Sequence, residues 1–172
     1  MSMLIKWRDG RAEALADPFT TLEDDQPVPP GDVPGDVIVS LTRFQTEGED
    51  LLAQGRRVGV RLAPDEAPEA LAYDLPRIAV VALTFPKFRD GRAYSAARVL
   101  REPLNFTGEV RAVGDVLREQ IYFMLRCGFD AFVPADGATA HEVAAAARRY
   151  RHVYQRAADG LEPAFVQRAK AA

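Results

Sequence analysis

From Asp36 to about residue 158 the chain repeats one pattern, a short β-branched run followed by a helical stretch. DVIVSLT (36–42) precedes EGEDLLAQG, RVGVRLA (57–63) precedes DEAPEALAYDL, and RIAVVALTF (77–85) precedes GRAYSAARVLRE. GEVRAVG (108–114) then precedes DVLREQIYFMLRCG, and FDAFVP (129–134) precedes TAHEVAAAARRYRHVYQRAADG. Parallel neighbours need a crossover of a dozen or so residues, usually a helix, so this alternation predicts an α/β fold: about five βα units on a mainly parallel sheet.

The flanks differ from the repeat. Residues 3–16 hold two extended pieces around Asp9-Gly10, a two-residue hairpin signal, so 1–16 is expected to be a small N-terminal β-hairpin. Residues 20–35 include Pro27, Pro29, Pro30 and Pro34, each lacking a backbone donor, and are expected to form an extended connector. The βα core then spans 36–158 and a tail 159–172, all in one domain, the size class to which 172 residues belong. Helix boundaries carry their own chemistry. Thr139 and Glu142 make a capping box, and Val143, Ala147, Tyr150, Tyr154 and Ala157 then draw one apolar stripe. Asp115 stands where it would cap a helix over 115–127, and Gly128 suits the residue after that helix. Val116, Tyr122 and Phe123 make this helix apolar on more than one side, which fits either a homodimer interface or plain burial.

Side chains alternate across a strand, so Val58, Val60 and Leu62 share one face while Gly59 and Arg61 share the other. Val110 and Ala112 likewise oppose Glu109, Arg111 and Val113. A mid-strand arginine under a covering helix would need a partner to offset a desolvation cost of several kcal/mol, roughly. Two arrangements meet this: a curved, half-barrel-like sheet with a polar concave side, or arginines near strand ends on an open edge.

Charge and cysteine content narrow the function. Twenty-two Lys and Arg against 25 Asp and Glu give a net charge of -3, without the basic excess that nucleic-acid backbones demand. Cys127 is the one cysteine, so an intrachain disulfide and a four-thiolate cluster are excluded, and no metal site is expected. It is read as an inert small hydrophobe. The first residues lack an apolar signal region and no later run is long enough to span a bilayer, so a cytoplasmic protein without a membrane partner is expected. Nicotinamide, flavin and nucleotide loops are missing, and no cofactor is assigned.

Ligands of α/β sheets gather beyond the carboxyl ends of the strands. The loop TFPKFRDGRAYS brings Lys87, Asp90, Arg92, Tyr94 and Ser95 to a helix N-terminus, with Arg98 one turn on; the next loop adds Asp115 and Gln120, and Arg111 lies on the strand before it. Lys87, Arg92, Ser95, Arg98, Arg111 and Gln120 are the candidates for holding an anion, and an Arg92–Asp115 pair across the two turns would aim the guanidinium. Asp90, Tyr94 and Asp115 are the candidates for acid–base work. Each also has a plain structural reading: Asp90 and Asp115 as caps, Tyr94 as core, Arg98 as a solvated (i, i+4) partner.

The segments FPKFRDGRAYSAARVLRE, GEVRAVGDVLREQ and RCGFDAF resemble a bacterial family known as domain of unknown function 934, whose members are often labelled as oxidoreductases of sulfite reduction. The resemblance implies a role in sulfur assimilation. Six-electron reduction of sulfite needs haem and iron–sulfur centres that one cysteine cannot hold, so it implies an accessory protein, binding a small oxyanion or docking on a sulfite reductase subunit. Two other readings stay open: a stand-alone enzyme using Asp90, Asp115 and Tyr94 on an anionic substrate, or a non-catalytic adaptor.

Overall fold

The computed structural model describes residues 3–29 and 35–171. Its strands are β1 (Leu4–Arg8), β2 (Arg11–Leu15), β3 (Phe19–Thr21), β4 (Asp36–Ser40), β5 (Val58–Leu62), β6 (Val80–Phe85), β7 (Glu109–Gly114) and β8 (Ala131–Phe132). They form one sheet in the order β2-β1-β8-β7-β6-β5-β4-β3. From β3 to β8 each strand pairs parallel with the next in sequence, and the hairpin β1–β2 adds antiparallel beside β8. The helices are α1 (Leu41–Ala53), α2 (Arg92–Arg101), α3 (Ile121–Cys127), α4 (Ala140–Ala147) and α5 (Ala164–Ala171).

This strand order decides where the core sits. Right-handed crossovers that always step to the same side put every connecting helix on one face. The main core lies there: Val37, Val39, Val58, Val60, Leu62, Val81, Leu83, Phe85, Val110, Ala112 and Phe132 meet Phe44, Leu51, Ala97, Leu100, Ile121, Met124 and Val143. The alternate residues point to the other face, where Phe19, Ile38, Val80 and Ala82 form a separate small cluster.

The hairpin forces the sheet to curl. β2 and β3 are its two edges, yet only Ala16, Asp17 and Pro18 join them. Laid flat, eight strands would separate the edges by about 34 Å, whereas a three-residue link reaches about 15 Å at most. The sheet therefore bends into the mainly parallel, half-barrel form that the arginines on its polar side predict, with that side concave. Asp9 (φ 48°) and Gly10 (φ 74°) supply the two left-handed residues that the tight hairpin turn requires.

Several local expectations change. Thr20 and Thr21 belong to β3 rather than to the connector, whose prolines 30 and 34 lie outside the described residues. In place of a helix over 65–75 there are two short 3₁₀ turns, Pro68–Leu71 and Leu75–Arg77, each with a proline in its first two positions. The helix expected to reach residue 158 stops at Ala147. Val143 is buried as the stripe requires, but Arg148 donates to the Gly10 carbonyl, Tyr150 turns to meet Tyr122 edge-on at 4.8 Å, and Tyr154 is 91% exposed. Tertiary contacts outweigh a modest local preference here. The tail holds α5 and is tied back through the Arg126–Asp159 ion pair at 2.9 Å, while the Lys170–Glu162 pair lies within the tail itself.

Candidate anion site

Because β6 and β7 are parallel neighbours over six residue pairs, the turns that follow them share one rim. Asp115 does not cap the next helix, which opens with a 3₁₀ turn at Arg118–Gln120 before α3. Its carboxylate instead accepts the Phe88 backbone N–H at 2.7 Å, stitching the two turns together. Gln120 adds to the stitch: its carbonyl accepts from the Leu117 amide at 2.9 Å and its amide nitrogen faces the Phe88 carbonyl at 3.4 Å. Arg92 pairs with Asp90, not with Asp115, at 2.7 Å. Asp90 also accepts the Arg92 backbone N–H at 3.2 Å, and the guanidinium holds its carboxyl below the usual range.

The remaining candidates on this rim are spread out. Tyr94 stands edge-on to Phe85 at 5.3 Å and shares a side-chain hydrogen bond with Gln120; burial pushes its hydroxyl pKa up. Ser95 and Lys87 are exposed, and Arg98 pairs with Glu102 one turn along α2 at 2.9 Å. Cys127 is half-buried, and burial raises its thiol pKa, which keeps it protonated and unreactive.

Arg111 lies elsewhere, on the concave face. Register places Arg61, Ala82 and Arg111 in one row across β5, β6 and β7, so the arginines flank a methyl group with Cα atoms about 10 Å apart. Around them is a cavity of about 320 Å³, lined by Asp17, Thr21, Ile38, Thr84, Val113 and Val133 together with the three residues of that row. Thr84, Val113 and Val133 put it against the carboxyl-terminal half of the strands, on the side of the stitched turns.

Arg111 is 1% exposed, rare for a residue that carries a permanent charge. Its Nε donates to Glu109 at 2.7 Å, its Nη1 to Asp17 at 2.6 Å, and its guanidinium stands over the Phe19 ring at 5.6 Å. Nη2 has no hydrogen-bond partner. A buried donor left unpaired costs about 1–3 kcal/mol, so the fold keeps an unused, charged donor on a residue that lines a cavity. Arg61, one side of the row, is held by Glu23 through two hydrogen bonds of 2.9 and 3.1 Å, and Glu23 is exposed. Lys6 completes the set through Glu109 at 2.5 Å.

Period-two alternation is enough to assign Glu109, Arg61 and Arg111 to one face of the sheet. Asp17, Thr84 and Glu23 carry no such signal: Asp17 reaches Arg111 only because three residues bridge the sheet's edges, a separation of 94 positions along the chain.

Among the described residues no three of His, Cys, Asp and Glu cluster closely enough to hold a metal, and no helix is long and apolar enough to cross a membrane. No curated protein matches the chain. Residues 59–165, well over half of its length and running from within β5 through β8 with Arg61, Ala82, Thr84 and Arg111, match the family described as bacterial protein of unknown function (DUF934), and the chain belongs to that family.

Proposed function

We propose that the protein is a non-redox accessory component that binds a small anion in the concave cavity, with Arg111 as its buried anchor and Arg61 as its second arm. The observation that supports this is the unpaired Nη2 of a guanidinium that is 1% exposed and lines a cavity of about 320 Å³. Placing a permanent charge there stabilises nothing by itself, whereas an incoming oxyanion recovers the lost hydrogen bond as a charge-assisted one. The position agrees with the preference of parallel α/β sheets for ligands at strand carboxyl ends. Sulfur assimilation as the setting, and a sulfite reductase subunit as the partner, come from the label attached to family members, which is an association rather than a mechanism. The acid–base reading draws less support, since Asp90 and Asp115 are engaged by Arg92 and the Phe88 amide.

Calorimetric titration with sulfite, sulfate and phosphate tests the site. Binding to the parent protein, weakened at least tenfold by Arg111→Met and several-fold by Arg61→Gln, is the expected result. Circular dichroism checks that both variants remain folded, and the variant at the partly buried Arg61 serves if the Met substitution does not. Silence toward every anion, or binding indifferent to both substitutions, overturns the proposal.

A further inference from the structure

We infer that the cavity's ligand is an organic monoanion, a compact oxyanion head on a short apolar chain, and not a bare inorganic ion. This rests on the anion site proposed above and specifies what occupies it.

Volume is the first reason. A water takes about 30 Å³ in the liquid, so a cavity of about 320 Å³ has room for roughly ten. Sulfite or sulfate, with four or five heavy atoms, leaves most of it unfilled. The wall is the second reason. Away from the arginines and the Asp17 carboxylate that pairs with Arg111, the cavity is faced by Ile38, Ala82, Val113, Gly114 and Val133, with the Thr21 and Thr84 hydroxyls between them. Water against such a wall is displaced favourably by methylene groups, not by a second charge. Ala82 is the small residue in the row between Arg61 and Arg111.

Charge balance sets the valence. Among the ion-paired side chains Lys6, Arg61 and Arg111 face Asp17, Glu23 and Glu109, three cations against three anions, and Asp24 and Glu66 add further negative charge near Arg61. The fully buried donor without a partner in this set is Nη2 of Arg111, and the pair exposed enough to open is Arg61–Glu23, whose carboxylate is exposed and whose net strength is small. That is capacity for a single negative charge. Glu23 then acts as an internal competitor that the ligand's head displaces from Arg61. Its backbone is fixed, because its carbonyl accepts from Arg43 at 2.7 Å and its amide donates to Gln26 at 3.1 Å, so the side chain alone has to swing.

The experiment titrates the full chain with sulfate and with methane-, ethane-, butane- and hexanesulfonate, using the parent, Arg111→Met, Arg61→Gln and Glu23→Gln. Each added methylene is expected to tighten binding about two- to fourfold up to about four carbons, after which the gain levels off. Butanesulfonate should exceed sulfate by more than tenfold. Glu23→Gln should tighten every sulfonate roughly three- to fivefold, a gain that a purely structural Arg61–Glu23 pair would not give. If sulfate and methanesulfonate bind through Arg111 but chain length adds nothing, the organic-ligand inference falls and the anion site stands. If none of the anions binds, both fall. A chain-length gain that survives intact in both arginine variants reports apolar adsorption elsewhere and overturns both.

Discussion

Replacing Arg101 by Met is expected to lower folding stability by about 3–5 kcal/mol, a fall in midpoint temperature of roughly 10 °C by thermal or urea denaturation. Arg101 lies at the end of α2 and ties together parts of the chain that are distant in sequence. Its Nε donates to the Gly128 carbonyl at 2.9 Å, its Nη1 to the Phe106 and Gly108 carbonyls at 2.7 Å each, and its Nη2 to Asp130 at 2.8 Å. Asp130 in turn accepts the Val110 amide at 2.9 Å. One guanidinium thus fixes the entrance of β7, the end of α3 and the approach to β8, the segments that carry Arg111. Met keeps the stem's packing and removes the donors, leaving three carbonyls and a carboxylate without their partner.

Asp130 gives this prediction a pH signature. Burial pushes its carboxyl pKa above the ordinary value of 3.8, and Arg101 and the Val110 amide only partly oppose that. An acid whose native pKa is raised holds its proton more tightly when folded, so its ionisation subtracts stability as pH climbs from the ordinary carboxylate range through the raised value. Without Arg101 that value rises further. The gap between parent and variant should therefore be widest at neutral pH and narrow as acid protonates Asp130, without closing, because the carbonyls stay unpaired. A gap that is constant or grows toward acid would show that Asp130 is not part of the tie.

The same residue marks the limit of what periodicity reveals. Arg98 and Arg101 look alike in the sequence, both on the polar side of a helix, yet Arg98 makes an (i, i+4) pair with Glu102 in water while Arg101 is drawn inward by partners 27 to 29 positions away. The strand–helix alternation, the Asp9-Gly10 turn, the Thr139–Glu142 capping box and the glycine after α3 were all legible, because each is local chemistry with a fixed spacing. Alternation put Arg61 of β5 and Glu109 and Arg111 of β7 on one face, which left two arrangements open, a curled sheet with a polar concave side or arginines near strand ends on an open edge; the sheet is the curled one. What could not be read was reach. Nothing near Asp115 says that its carboxylate spans to the Phe88 amide, and nothing near Asp17 says that it lies beside Arg111. Those contacts follow from strand order, and strand order follows from which edges the short link at residues 16–18 pulls together.

Gly114→Ala is expected to cost about 3–5 kcal/mol and to weaken any anion bound in the cavity. Gly114 ends β7 with φ of 90°, a conformation that a side chain strains, and a Cβ placed there would stand 2.3 Å from the Phe85 carbonyl oxygen and 3.0 Å from its carbon. Both obstacles are backbone, so no rotamer change relieves them. The chain cannot yield by moving β7 away from β6 either, because the Asp115 amide donates to that same Phe85 oxygen at 2.7 Å and the Val116 amide closes back on Gly114 at 2.8 Å. Separating the strand ends breaks the bond that aims Asp115 at Phe88 and shifts Thr84 and Val113, which pair in the adjacent register and line the cavity. The expected outcome is therefore twofold: a midpoint drop of about 10 °C, and anion binding weaker than the parent's in the protein that still folds at low temperature. A variant that loses less than about 1 kcal/mol, or that binds as tightly as the parent, would mean that the two strand ends are free to part and that the rim does not hold the cavity's shape.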